Sequence, residues 1–205
     1  MTVMFYLAET GDSNLTPGLL YWANVENWVN VRATAMSAVD LRKTAIRALG
    51  RNGHITDKVA STLRRELQST NDEVSIVTIA ACAELGVCME EALTKIREKR
   101  AATPWQRPEA AQYCDLVEPI LRWRADTNSS VAAHVIRENL SIGRAEQRRS
   151  TTAELIGRAG AEARQFIGDL AVMARDPDRN LQLIAVRALR RIDAKEAERI
   201  LRSER

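Results

Sequence analysis

Aromatic side chains are scarce in this 205-residue chain, at 4% of the sequence, and only two histidines and three cysteines occur. Each shortage excludes something. His54 and His134 stand apart, with no H-x-x-x-H spacing and no neighbouring Cys pair, which argues against a metal centre. The spacings predict a helix-end position for His54 and a packed one for His134, which lies near an apolar stripe. Cys82, Cys88 and Cys114 are odd in number, and five residues separate the first two, which is neither a C-x-x-C metal spacing nor a redox spacing. Among Ala, Leu, Val and Met, Cys82 and Cys88 read as small packed apolar groups, and a reducing cytoplasm is the expected compartment. No apolar run is long enough for a membrane span. Met1 to Leu7 is too short, lacks a basic flank and has no small-residue cleavage pattern, so neither signal peptide nor membrane partner is expected. G-x-S-x-G, phosphate-loop and dinucleotide fingerprints are all missing, and no cofactor is predicted. The formal charge of +3 lacks the concentrated positive charge of a dedicated nucleic-acid arm.

Ala, Leu, Arg and Glu dominate, a mix that favours helix throughout, and no alternating β-branched segment calls for a sheet. The chain also repeats itself. Leu41-Arg42-Lys43-Thr44-Ala45-Ile46-Arg47-Ala48-Leu49-Gly50-Arg51 returns as Leu181-Gln182-Leu183-Ile184-Ala185-Val186-Arg187-Ala188-Leu189-Arg190-Arg191. The offset corresponds to about four units of roughly 35 residues, the length of a helical-pair repeat. Val77, Ala81, Leu85 and Gly86 restate Leu41, Ala45, Leu49 and Gly50 one unit on.

The periodicity predicts the following elements. Residues 1–37 form an atypical N-terminal cap, with Thr2 to Ala8 either a short helix or an extended arm. Thr16-Pro17 then opens a helix that carries Leu19, Leu20, Trp22, Val25, Trp28 and Val29 and runs to about Ala35. Residues 38–205 form repeats, irregular around 101–130, where Pro104, Pro108 and Pro119 interrupt the rhythm and Pro119 should kink or divide its helix. Gly53 and Gly86 end helices, Thr56 or Asp57 starts one, and Ser150 is expected to cap a helix over Thr151 to Ala159. A further helix is expected over Ala161 to Ala174, and Asp176-Pro177-Asp178 is a turn between units. Leu41, Ala45, Ile46, Ala48 and Leu49 are candidate core positions in the first repeat.

Leu41-Arg42-x-x-Ala45-x-x-Ala48-Leu49-Gly50, and Asp176-Pro177-Asp178 followed by Leu181-x-x-x-Ala185-x-x-Ala188-Leu189, resemble HEAT-like repeats, closest to the short variety also found in phycobilin lyases. The resemblance covers Ala38 to Arg100 and Ser150 to Arg202 well and the middle loosely. It implies an all-α, armadillo-like solenoid of about five helical hairpins. This architecture hosts many unrelated roles.

Two functional readings follow. The first is a non-catalytic interaction scaffold or adaptor that holds an acidic protein partner along one face. Arg47, Arg51, Arg187 and Arg191 are its candidate contacts, spaced four apart on helix surfaces, with Lys43 extending the first stripe. The plainer alternative for this stripe is a solvated face of salt bridges. Arg137, Arg144, Arg148 and Arg149 make a denser basic cluster, offset by Glu138 and Glu146. The second reading is a nucleic-acid-binding module. Some HEAT-like enzymes excise damaged bases with Asp and Trp side chains on a basic concave surface, and Asp126 beside Trp123, with Trp105 and Arg122 near in sequence, would imitate them. The plainer reading of that pair is a helix cap and a core residue.

Overall fold

Several of the helices begin at a capping side chain: Thr56, Asn71, Ser129 and Asp178 each accept a backbone N–H from the first turn that follows. A computed structural model of the chain describes residues 10–24, 38–101 and 108–202, and every element of secondary structure in them is helical. The segment 2–8, expected as a short helix or an extended arm, the helix continuation through Val25, Trp28 and Val29 to Ala35, and Pro104 and Trp105 lie outside the described residues. The chain divides into two compact units, Met1–Cys114 and Asp115–Arg205.

In the first unit, a 3₁₀ turn at Ser13–Leu15 leads into α1 (Thr16–Ala23). Then come α2 (Ala38–Asn52), α3 (Asp57–Leu67), α4 (Asp72–Leu85) and α5 (Met89–Ala101). The Thr56 hydroxyl accepts the Val59 N–H at 3.2 Å and starts α3. Asn71 accepts the N–H groups of Glu73 and Val74 and starts α4. Both bonds satisfy donors that the first helical turn leaves orphaned. Gly53 after α2 (φ +73°) and Gly86 after α4 (φ +71°) take the left-handed conformation that suits glycine at a helix end.

Packing follows the apolar stripes. Ala45, Ile46, Ala48 and Leu49 of α2 are buried, whereas Leu41, expected in the core, is only half-buried. Helix α4 is apolar on nearly every side, and Val74, Val77, Ile79, Ala81, Cys82 and Leu85 are all buried. Such a helix belongs inside, and α2, α3 and α5 all pack on it. Helix α3 also packs on α5, and α1 covers α2 and α3. Small residues set the spacing of α2 and α4: a methyl placed on Gly50 would lie 3.1 Å from Ala81 Cα.

Helix α6 (Pro108–Ala125) crosses the unit boundary. It continues through Pro119, so the proline does not divide it. The second unit adds α7 (Ser130–Leu140), α8 (Glu146–Arg158), a 3₁₀ stretch at Gly160–Phe166, α9 (Ile167–Met173), α10 (Arg179–Ile192) and α11 (Ala194–Arg202). Two expectations fail here. Ser150 caps nothing: α8 starts a turn earlier, and the Ser150 hydroxyl donates to the Gln147 carbonyl inside the helix. The helix expected over Ala161 to Ala174 divides into the 3₁₀ stretch and α9.

Helix α8 packs on α10 and α7 on α9, while α10 also meets α9 and α11. Gly157 permits the α8–α10 approach, since a methyl there would lie 2.8 Å from both Cα and Cβ of Ala188. Trp123 and Phe166, both fully buried, meet edge to face with centroids 5.1 Å apart. The Arg137 guanidinium lies 5.5 Å from the Phe166 centroid.

Candidate functional site

The repeated sequence places Lys43, Arg47 and Arg51 on successive turns of α2, and Leu183, Arg187 and Arg191 on successive turns of α10. Their environments match at the second and third positions. Arg47 and Arg187 are exposed and enter no ion pair among the described residues, whereas Arg51 and Arg191 are half-buried. The first position differs. Lys43 bonds Asp40 at 2.8 Å and also Glu73 of α4. Burial opposes its charge, but those two carboxylates outweigh it and hold the ammonium above its ordinary pKa. Leu183 stands there in the repeat, 56% exposed. Each unit therefore presents one free arginine at the same repeat position, and Lys43 is structural.

The denser basic cluster is mostly neutralised. Arg149 is buried, donates to the Leu140 carbonyl and approaches Asp176 at 2.6 Å. A hydrogen bond from the Asp178 N–H, aided by Arg149, holds the Asp176 carboxyl below its usual range. Arg148 donates to Asn139, and Arg137 lies 3.6 Å from Asp169. Burial raises Asp169, and the Arg137 charge opposes that shift. A buried ion needs a partner, and the buried pair of Arg149 and Asp176 supplies one while linking two segments of the unit. The same holds in the first unit, where Arg42 and Arg65 both engage the fully buried Glu66.

Trp123 and Asp126 share a helix end but differ in surroundings. Trp123 is closed in the core against Phe166, and its indole N–H meets no acceptor among the described residues. Asp126 is exposed and accepts the Asn128 N–H at 3.1 Å in the turn before α7. Arg122 bonds Glu118 on its own helix.

His54 follows α2 and shares a hydrogen bond with the Thr16 hydroxyl at 3.2 Å, as a helix-end residue would. His134 is 74% exposed at its side chain, so the expectation that it packs inward is overturned. No group of His, Cys, Asp and Glu among the described residues is arranged to hold a metal ion. None of the described helices is long and apolar enough to cross a membrane.

A cleft of about 690 Å³ opens between α1 and α3, lined by Thr16, Tyr21, His54, Lys58, Ser61 and Arg65 among others. Its walls come from two helices and a connecting loop, so no contiguous motif announces it. No protein-family model matches the chain, and a search of the curated proteins returns no match.

Proposed function

We propose that the chain is a HEAT-like α-solenoid of about five helical hairpins that acts as a non-catalytic scaffold for an acidic protein partner. One observation carries the reading. Within each unit, helices two apart in sequence lie side by side: α2 on α4, α3 on α5, α7 on α9 and α8 on α10. A hairpin that buries its stripe only against the next hairpin is the physical basis of a repeat array. Such arrays act through surfaces, and the free arginines Arg47 and Arg187 recur at one repeat position. Arginine suits a carboxylate partner because its planar fork matches two oxygens at once.

The test uses the whole chain and an R47E/R187E variant as baits against extract of the native host. The expected result is a partner retained by the natural sequence and weakened by about tenfold or more on the variant, with helical circular dichroism and melting unchanged. Titration with short duplex DNA at low and moderate salt is the counter-experiment. Steep salt-dependent binding there, with no protein partner, would replace the scaffold by a nucleic-acid module.

A further inference from the structure

A chain of hydrogen bonds ties the start of α1 to the end of α2 beside the cleft. The Asn52 side-chain N–H donates to the Asp12 carbonyl at 3.0 Å, which fixes the amide and leaves its oxygen to accept the Thr16 hydroxyl at 3.3 Å. That hydroxyl has one proton, and Asn52 takes it. The His54 ring must therefore donate from Nδ1 to the Thr16 oxygen, at 3.2 Å. Thr16 and Asn52 are both buried. The network pins α1 to the loop that leads into α3, so both walls of the cleft are held in place. At about 690 Å³ the cleft has the size of a small-molecule site.

The α3 wall is electropositive. Lys58, Thr62 and Arg65 stand on successive turns of α3, and all three line the cleft. Lys58 is exposed and enters no ion pair among the described residues. Arg65 shares the buried Glu66 with Arg42, so one carboxylate answers two guanidiniums and a positive charge is left over. No Asp or Glu is among the described residues that line the cleft. Thr62 lies between the two cations. It is only 8% exposed, and its hydroxyl makes no hydrogen bond among the described residues. A buried hydroxyl without a partner is uncommon and costs stability until something satisfies it. On the other wall, Leu20 and Tyr21 of α1 supply apolar surface, with Tyr21 55% exposed. Cation, hydroxyl and cation on one wall and an aromatic ring on the other suit a ligand with a negative head and a flat apolar body.

We propose that the cleft between α1 and α3 binds a small organic anion. The negative head accepts the Thr62 hydroxyl and lies between Lys58 and Arg65, while the flat body packs on Leu20 and Tyr21. An anionic oxygen completes the one buried hydroxyl that the fold leaves unmet there, and charge-assisted bonds of this kind are the strong ones. The apolar wall gives an inorganic ion nothing to gain from it. The cations give a neutral ring no compensation for displacing their water. This site is independent of the scaffold reading, because it uses no residue of the arginine stripes.

Calorimetric titration of the full chain with 1-naphthyl phosphate, and separately with its two halves, 1-naphthol and inorganic phosphate, tests the site. The whole probe should bind at least about tenfold more tightly than either half. Amide NMR shifts should be confined to α1, α3 and the loop before α3. K58M keeps an apolar stem and removes the charge, and should weaken binding about tenfold. T62V should weaken it about fivefold without lowering the melting temperature, because the hydroxyl has no partner to lose in the free chain. A merely structural threonine would do the reverse. Helical circular dichroism confirms that each variant folds, and the three probes on the natural sequence decide the matter alone if one does not. No heat at millimolar probe, equal affinity for either half, shifts away from these elements, or binding indifferent to K58M or to T62V would each overturn the proposal.

Discussion

At the scale of single residues, steric fit and charge pairing decide more than propensity does. Gly157 sits inside α8, where replacement by Ala should help the helix by about 1 kcal/mol on propensity alone. Its added methyl would stand 2.8 Å from Ala188 on α10, however. Overpacking of this kind costs roughly 1–3 kcal/mol, so G157A is expected to lower stability in urea denaturation. The double variant G157A/A188G should recover part of the loss, since residues in contact couple. Asp176 yields a pH prediction. Its carboxyl is held low by the Asp178 N–H and by Arg149. A lowered carboxyl contributes stability above its unfolded value and loses it as pH falls through the folded one. D176N should therefore lose about 3 kcal/mol at neutral pH, because it leaves buried Arg149 unpaired. Its stability should then fall less steeply than that of the natural chain on acidification, as denaturation at a series of pH values would show.

At the scale of elements, caps and close approaches position the helices. Asp178 accepts the N–H groups of Asn180 and Leu181 at 2.7 and 3.2 Å and so starts α10. D178A should cost about 1 kcal/mol and D178S much less, because serine also caps; thermal melts of the two variants make the comparison. This chemistry is local, which is why Thr56, Gly53, Gly86 and the 176–178 turn could be read from the sequence. Ser150 misled because the competing information is distant. Asp176 draws Arg149 inward while the Leu140 carbonyl holds it, and the helix that carries Arg149 begins before the apparent cap. The division at 160–167 escaped for a related reason, since Phe166 there answers to Trp123, far away in sequence. The arginine stripes were legible as positions but not as pairings: nothing in Lys43 or Arg149 announces the carboxylate that neutralises it.

At the scale of the whole molecule, stability should be distributed along neighbours instead of gathered at one centre. Helix α10 is central to its own unit, meeting α8, the 3₁₀ stretch, α9 and α11. Leu189 on α10 is 1% exposed. L189D removes that burial and strands a carboxylate, for an expected loss of roughly 2–5 kcal/mol by analogy with large core truncations. A melt of the variant gives the size of the effect, and hydrogen exchange gives its location. In a chain stabilised through nearest neighbours, protection should fall most in α8, α9, α10 and α11, the helices that share the damaged contact. Helices α2 to α5 pack on one another within Met1–Cys114 and should keep most of theirs. A uniform collapse of protection over both units would mean that Leu189 supports a single cooperative core, and the repeat-array reading would not survive it.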